Sequence, residues 1–168
     1  GSEILEGRNI LLAEDNDLNA EIAEAILERA GLRIERVENG IQCVNRILKM
    51  PAGTYDMIFM DIQMPQMDGY KATQVIRRLP DKDKACIPII AMTANAFEED
   101  KRKAIAVGMN GHIAKPIQVD KLLSTLKAVL TERVIKTPSQ VICYPHIGQC
   151  NVHRVTHFVT QKLLYRNL

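Results

Sequence analysis

The chain has 168 residues, 46% of them hydrophobic, and a formal net charge of +2. That suits one core of ordinary size with residues left over, so one domain is the default. No apolar run approaches the ~18 residues that span a bilayer and no charged-then-apolar leader opens the chain, so a cytoplasmic domain without membrane contact is expected, whether or not a longer parent protein is membrane-anchored.

The net charge hides an asymmetry. All 20 acidic residues lie at or before Glu132, and up to Arg133 they face 18 basic ones, a balance of −2. No Lys/Arg cluster with interleaved aromatics stands in this body, so direct nucleic-acid binding is not expected. Cys43, Cys86, Cys143 and Cys150 are too sparse for a disulfide framework, and reduced thiols are expected. Residues 1–8 read as a cloning remnant, Gly1-Ser2, followed by a lead-in.

From residue 9 to about 133, short apolar runs alternate with segments of helical period, the pattern of a parallel sheet covered by helices on both faces. The first strand, about 9 to 14, runs into Glu14-Asp15. A helix over about 17 to 30 follows, with Asp17 as its cap, Leu18, Ile22, Ala25 and Ile26 as its sheet-facing side, and Gly31 past its last turn. The second strand, about 32 to 37, alternates Leu32, Ile34 and Val37 with Arg33, Glu35 and Arg36, which suits a sheet edge. A second helix spans about 40 to 49.

The third strand, about 56 to 61, is apolar until Asp61, and the turn Ile62 to Gly69 opens a third helix over about 69 to 79. The fourth strand, about 88 to 93, ends on Thr93. Both are apolar nearly throughout and should be central, buried on two faces. A fourth helix covers about 97 to 107, a fifth strand about 111 to 114 ends at Lys115-Pro116, and a fifth helix fills about 119 to 133. Its Leu122, Leu123, Leu126, Val129 and Leu130 share one side, with Asp120 and Arg133 placed to suit the helix dipole.

Four strands thus end in polar groups that can meet at one sheet edge. Glu14, Asp15 and Asp61 would bring three carboxylates together, and like charges that close need a cation. Mg2+ suits them, since it takes oxygen ligands and is usually held by one or two carboxylates together with phosphate. Asp61 can then attack phosphorus and form an aspartyl-phosphate. Phosphoryl transfer spreads charge over three oxygens, for which the metal, the Lys115 ammonium and the Thr93 hydroxyl each supply a partner. An X-Pro bond at Lys115-Pro116 can be cis and aim the lysine inward.

These segments resemble the receiver domain of two-component signalling systems, as written in hybrid histidine kinases. Ile10-Leu11-Leu12-Ala13-Glu14-Asp15-Asn16 is similar to the family's acidic-pair strand. Asp61 with Met64-Pro65-Gln66-Met67-Asp68-Gly69 is similar to its phosphoacceptor loop, and Ala91-Met92-Thr93-Ala94-Asn95-Ala96 and Lys115-Pro116-Ile117 to its threonine and lysine segments. The resemblance covers residues 9–133. It implies a flavodoxin-like (βα)5 fold, a doubly wound α/β protein whose five parallel strands run in the order 2-1-3-4-5.

The resemblance also implies metal ligation by Asp15, Asp61 and the Gln63 backbone carbonyl, with Glu14 acting through water. It implies phosphorylation of Asp61 by a histidine kinase or a histidine phosphotransfer domain, with self-catalysed phosphotransfer and autodephosphorylation. Thr93 would be the switch, altering the face made by the fourth strand, fourth helix and fifth strand, and a dimer would form through the fourth helix, fifth strand and fifth helix. The family usually carries Tyr or Phe three residues before the strand-five lysine, and His112 stands there. It reads either as a pH-sensitive switch or as a plain exposed strand residue.

Other readings of the same residues exist. An aspartate-nucleophile phosphatase typically has a second aspartate two residues past the nucleophile, where this chain has Gln63. A scaffold domain with an inactive site would need a role to be missing, and none is. Met57, Met60, Met64, Met67 and Met92 read as filler of irregular gaps rather than metal thioethers. Residues 134–168 form a basic tail with Cys143, His146, Cys150, His153 and His157, which reads as a linker, a terminal helix through Val152, Val155, Val159 and Leu163, a zinc-binding segment or non-native sequence.

Overall fold

The computed structural model describes residues 5–94 and 97–135. Five parallel strands, β1 (Asn9–Ala13), β2 (Arg33–Val37), β3 (Met57–Asp61), β4 (Ile89–Thr93) and β5 (Gly111–Ala114), form one sheet in the order β2-β1-β3-β4-β5. The helices among the described residues are α1 (Asp17–Arg29), α2 (Gly40–Lys49), α3 (Gly69–Arg77), α4 (Lys82–Ala85), α5 (Glu98–Ala106) and α6 (Val119–Ile135). This is the expected doubly wound α/β fold, with β2 at an edge and β3 at the centre. Residues 136–168, read as a linker, a terminal helix, a zinc-binding segment or non-native sequence, lie outside the described residues.

Strand alternation sorts the core into two layers. Ile10, Leu12, Met57, Phe59, Ile90 and Met92 point to the face covered by α1 and α6, where Leu122, Leu126 and Leu130 are buried. Leu11, Ala13, Ile58, Met60, Ile89 and Ala91 point to the other, covered by α2, α3 and α5. With both faces covered, β3 and β4 are buried along their whole length, which is why they read as unbroken apolar runs.

Four expectations need correction. α1 packs through Ala20, Ala23 and Leu27, not through Leu18 and Ile22, which are 65% and 45% exposed. Both sets fit a helical period, and the two alanines let the helix approach the sheet closely. The α1 cap is Asn16, which accepts the Asn19 N–H, while Asp17 begins the helix. The short α4, opened by Asp81 accepting the Asp83 and Lys84 N–H groups, was not expected from the sequence. Finally, Cys86 is disulfide-bonded, whereas Cys43 is the free, buried thiol expected.

Candidate functional site

Parallel strands put all their C-terminal ends on one side, and register decides which residues meet there. Ala13 pairs with Met60, so Glu14 follows level with Asp61, and Asp61 itself pairs with Met92. Thr93 pairs with Ala114, and the Lys115 N–H donates to the Thr93 carbonyl at 2.8 Å. The four polar strand ends therefore converge. The Lys115-Pro116 bond is cis.

Lys115 Nζ lies 2.6 Å from Glu14 Oε2 and 3.0 Å from Asp61 Oδ2. Glu14 is only 1% exposed, and its second oxygen accepts the Asn16 N–H at 3.2 Å and the Asn19 amide at 3.5 Å. A buried carboxylate with that many donors is held firmly in place. Asp15 is exposed, and one oxygen from each of Glu14, Asp15 and Asp61 lies within 4.8 Å of the others. Lys115 pairs with Glu14 and Asp61 and leaves Asp15 facing solvent beside them, so the three acids leave room for a second cation. An all-oxygen donor set with one face open to water fits Mg2+.

The electrostatics follow from that crowding. Burial foremost, and then the Glu14 charge, push the Asp61 carboxyl up to about 6, against the pull of the Lys115 ammonium and the Gln63 N–H. Burial acts to lower Lys115, but its hydrogen bonds and charge pairing with Glu14 and Asp61 outweigh that and raise it.

The loop after β3 is closely tied down. Gly69 N–H donates to Ile62 O at 2.9 Å, Met67 N–H to Pro65 O at 2.7 Å, and Gly40 N–H to Met67 O at 3.0 Å. Gln66 takes a positive φ of 65° within it, and the Asp68 carboxylate accepts the Lys71 N–H at 2.7 Å to open α3. Gly69 is obligatory for space, because a Cβ there would collide with the Asp61 carbonyl. Gln63, a backbone ligand by expectation, sits in this loop with its N–H 3.4 Å from Asp61 Oδ1.

On the opposite side Thr93 is buried and, with Gln63, Tyr70, Ala94 and Lys103, lines a cleft of about 290 Å³ beside Asp61. Lys103 Nζ stands 4.5 Å from the Tyr70 ring centroid. His112 is outside the acid cluster: it pairs with Ala91, two positions before the end of β5, and is half-buried. Burial and the Lys101 charge lower its pKa, and Glu98 opposes them.

Sequence reasoning missed several supporting residues. Arg36 donates from Nε to Glu14 O at 3.1 Å and from Nη2 to Asp15 O at 3.3 Å and to Asp17 Oδ1 at 2.8 Å. Nothing in the pattern marks an arginine on an alternating edge strand as different from its neighbours. Gly40 left a fainter signal, as an Asn-Gly pair directly before a helical run.

Residues 10–127 match the family described as the response regulator receiver domain. The chain is 40% identical over 123 residues to hybrid signal transduction histidine kinase B of Dictyostelium discoideum, covering 68% of this chain and 6% of that kinase, so it spans a small part of that relative. The receiver domain of sensor histidine kinase PA1611 from Pseudomonas aeruginosa PAO1, crystallised with magnesium in its active-site cleft, superposes with a TM-score of 0.67 at 38% identity, covering 74% of this chain and 98% of that one. The receiver domain of Ssk1 from Saccharomyces cerevisiae, solved with the histidine phosphotransfer protein Ypd1, gives 0.69 at 28% identity over 76% of this chain and 92% of that one. Sequence, strand order and acid cluster agree, and the chain belongs to the receiver domains of two-component phosphorelay signalling.

Proposed function

We propose that this domain accepts a phosphoryl group on Asp61 from a phosphohistidine, with Mg2+ held by Asp15, Asp61 and the Gln63 carbonyl and with Glu14 acting through water. The observation that carries this reading is Lys115 bridging Glu14 and Asp61 at 2.6 and 3.0 Å with Asp15 beside them. Bound Mg2+ would supply charge neutralisation on one phosphoryl oxygen. An Asp61 carboxylate oxygen forms the new P–O bond as the donor's P–N bond breaks, and the electron pair returns to the imidazole nitrogen. Lys115 follows the charge onto a second oxygen, and Thr93 hydrogen-bonds the third. Water attack on the acyl phosphate later restores the carboxylate.

Thr93 lines the cleft next to Asp61, so its hydroxyl moving toward the phosphoryl group draws on β4 and the start of α5, a local charge event biasing a two-state element. Exposed Phe97, Ile105 and Val119 on α5 and α6 give that face an apolar surface for a second copy, and sedimentation with and without phosphodonor checks for it. The donor protein must sit where its histidine reaches Asp61. Leu18 and Ile22, exposed on α1 directly after Glu14-Asp15, offer the apolar contact for it.

The test is one labelling experiment with two donors. With Mg2+ and acetyl phosphate the wild type gains one hydroxylamine-labile phosphate, and Asp61→Asn gains none. Leu18→Glu keeps acetyl phosphate labelling but slows transfer from a phosphohistidine domain by roughly tenfold. Equal labelling of Asp61→Asn overturns the phosphoacceptor, and equal transfer to Leu18→Glu overturns the docking face.

A further inference from the structure

We infer that the segment Arg36–Gly40, at the end of β2 and start of α2, is the frame that holds the metal site open, with Arg36 as the positioning residue for Asp15. This rests on the Mg2+ reading above. The two acid-bearing loops come from different strands, β1 and β3, and this one short segment grips both. Arg36 takes the Glu14 and Asp15 carbonyls and the Asp17 carboxylate, and the Val37 carbonyl accepts the Glu14 N–H at 3.0 Å. Four residues after Arg36, the Gly40 N–H holds Met67 O at 3.0 Å, in the loop that carries Gln63.

The frame answers a physical need. Glu14, Asp15 and Asp61 hold oxygens within 4.8 Å of one another with one lysine between them, so before a metal arrives their repulsion works to spread the turn outward. Glu14 and Asp15 stand between the end of β1 and the Asn16 cap, where no helix ladder yet takes their carbonyls. A guanidinium fills that role well, since its planar fork presents donors at fixed angles to several oxygens at once. On the other loop the fit is steric: a Cβ on Gly40 would stand 2.5 Å from Met67 O and 2.9 Å from Met67 Cγ, so only glycine lets α2 approach this closely.

Arg36 also bears a positive charge near a cation site, and charge alone would make its removal tighten metal binding. Position and charge therefore predict opposite results. Arg36→Lys separates them, because it keeps the charge and the stem but loses the fork.

The experiment is a Mg2+ titration of the full chain followed by amide shifts at Asp15 and Gln63, with hydrogen exchange at the Asn16 amide measured without metal. Arg36→Lys and Arg36→Met are both expected to bind Mg2+ about tenfold more weakly than wild type and to exchange faster at Asn16 before any metal is added. Gly40→Ala is expected to weaken binding while shifting the amides of Gln63 to Met67 in the metal-free protein. Urea midpoints confirm that each variant is folded, and Arg36→Lys decides should Arg36→Met not be. Wild-type affinity and exchange in Arg36→Lys, with tighter binding in Arg36→Met, would overturn the positioning role. Wild type that binds no Mg2+, yet shows the exchange difference, would instead sink the metal reading and leave the frame standing.

Discussion

The two walls of the acid site are built differently. On the β1 and β3 side, Glu14, Asp15 and the loop after Asp61 are fixed by Arg36, Val37, Gly40 and Gly69 through short hydrogen bonds and contacts with no room for a methyl group. On the β4 side, Thr93, Ala94 and Lys103 form one side of a cleft of about 290 Å³ whose other side is Ile62, Gln63, Asp68 and Tyr70, and α5 opens on Phe97 without a side-chain cap. The first wall is preorganised, as the proposed metal and phosphoacceptor roles require of catalysis by positioning. The second has the space that a side chain needs in order to move. A switch domain has to be rigid where chemistry occurs and yielding where the signal leaves.

Perturbing the tight wall tests this contrast most severely. Gly69→Ala forces a methyl group into the Asp61 carbonyl, and is expected to lower stability by about 3 kcal/mol and abolish phosphate labelling. Urea unfolding and acetyl phosphate labelling measure both. A variant that stays stable and accepts phosphate would show that the loop is far looser than its hydrogen bonds imply.

The contrast also sorts what the sequence made legible. Glu14, Asp15, Asp61, Thr93 and Lys115 were legible because each stands at a strand end, and parallel strands must finish on the same side. The braces were not. Arg36 acts through side-chain reach across a turn, Gly40 through an absent Cβ against a loop 27 positions on, and neither leaves a periodic trace. The α1 face was misread for a related reason: two helical stripes competed, and the smaller residues won because backbone approach to the sheet outweighs side-chain size. α4 was too short to show any period, and only its Asp81 cap signals it.

A milder substitution probes the yielding wall. Thr93→Ala removes a hydroxyl beside the cleft, and is expected to change stability by no more than about 1 kcal/mol and to leave Asp61 able to accept phosphate. What it should lose is transmission. The amide shift changes on phosphorylation that wild type is expected to give at Lys101, Lys103 and His112 should shrink to a small fraction in the variant, while those at Gln63 persist. Full-size changes at α5 and β5 would mean that the signal leaves by the tight wall instead.

The smallest effect concerns His112, at the outer end of the yielding wall. Burial and the nearby Lys101 charge favour its neutral ring in the folded domain, with Glu98 partly opposing, so its pKa lies below the ordinary value of 6.5. For a base lowered on folding, the unfolded chain takes up the proton first as pH falls. Folded stability is therefore highest above 6.5 and declines as pH drops through 6.5 toward the lowered value. Carboxylates elsewhere respond in wild type and variant alike, so the comparison isolates this ring. Between about pH 7.5 and about pH 5.5, the urea midpoint of wild type is expected to fall slightly more than that of His112→Asn. Parallel curves would place the ring in full contact with water in both states, and would leave the yielding wall without a titrating residue in the range where histidine normally acts.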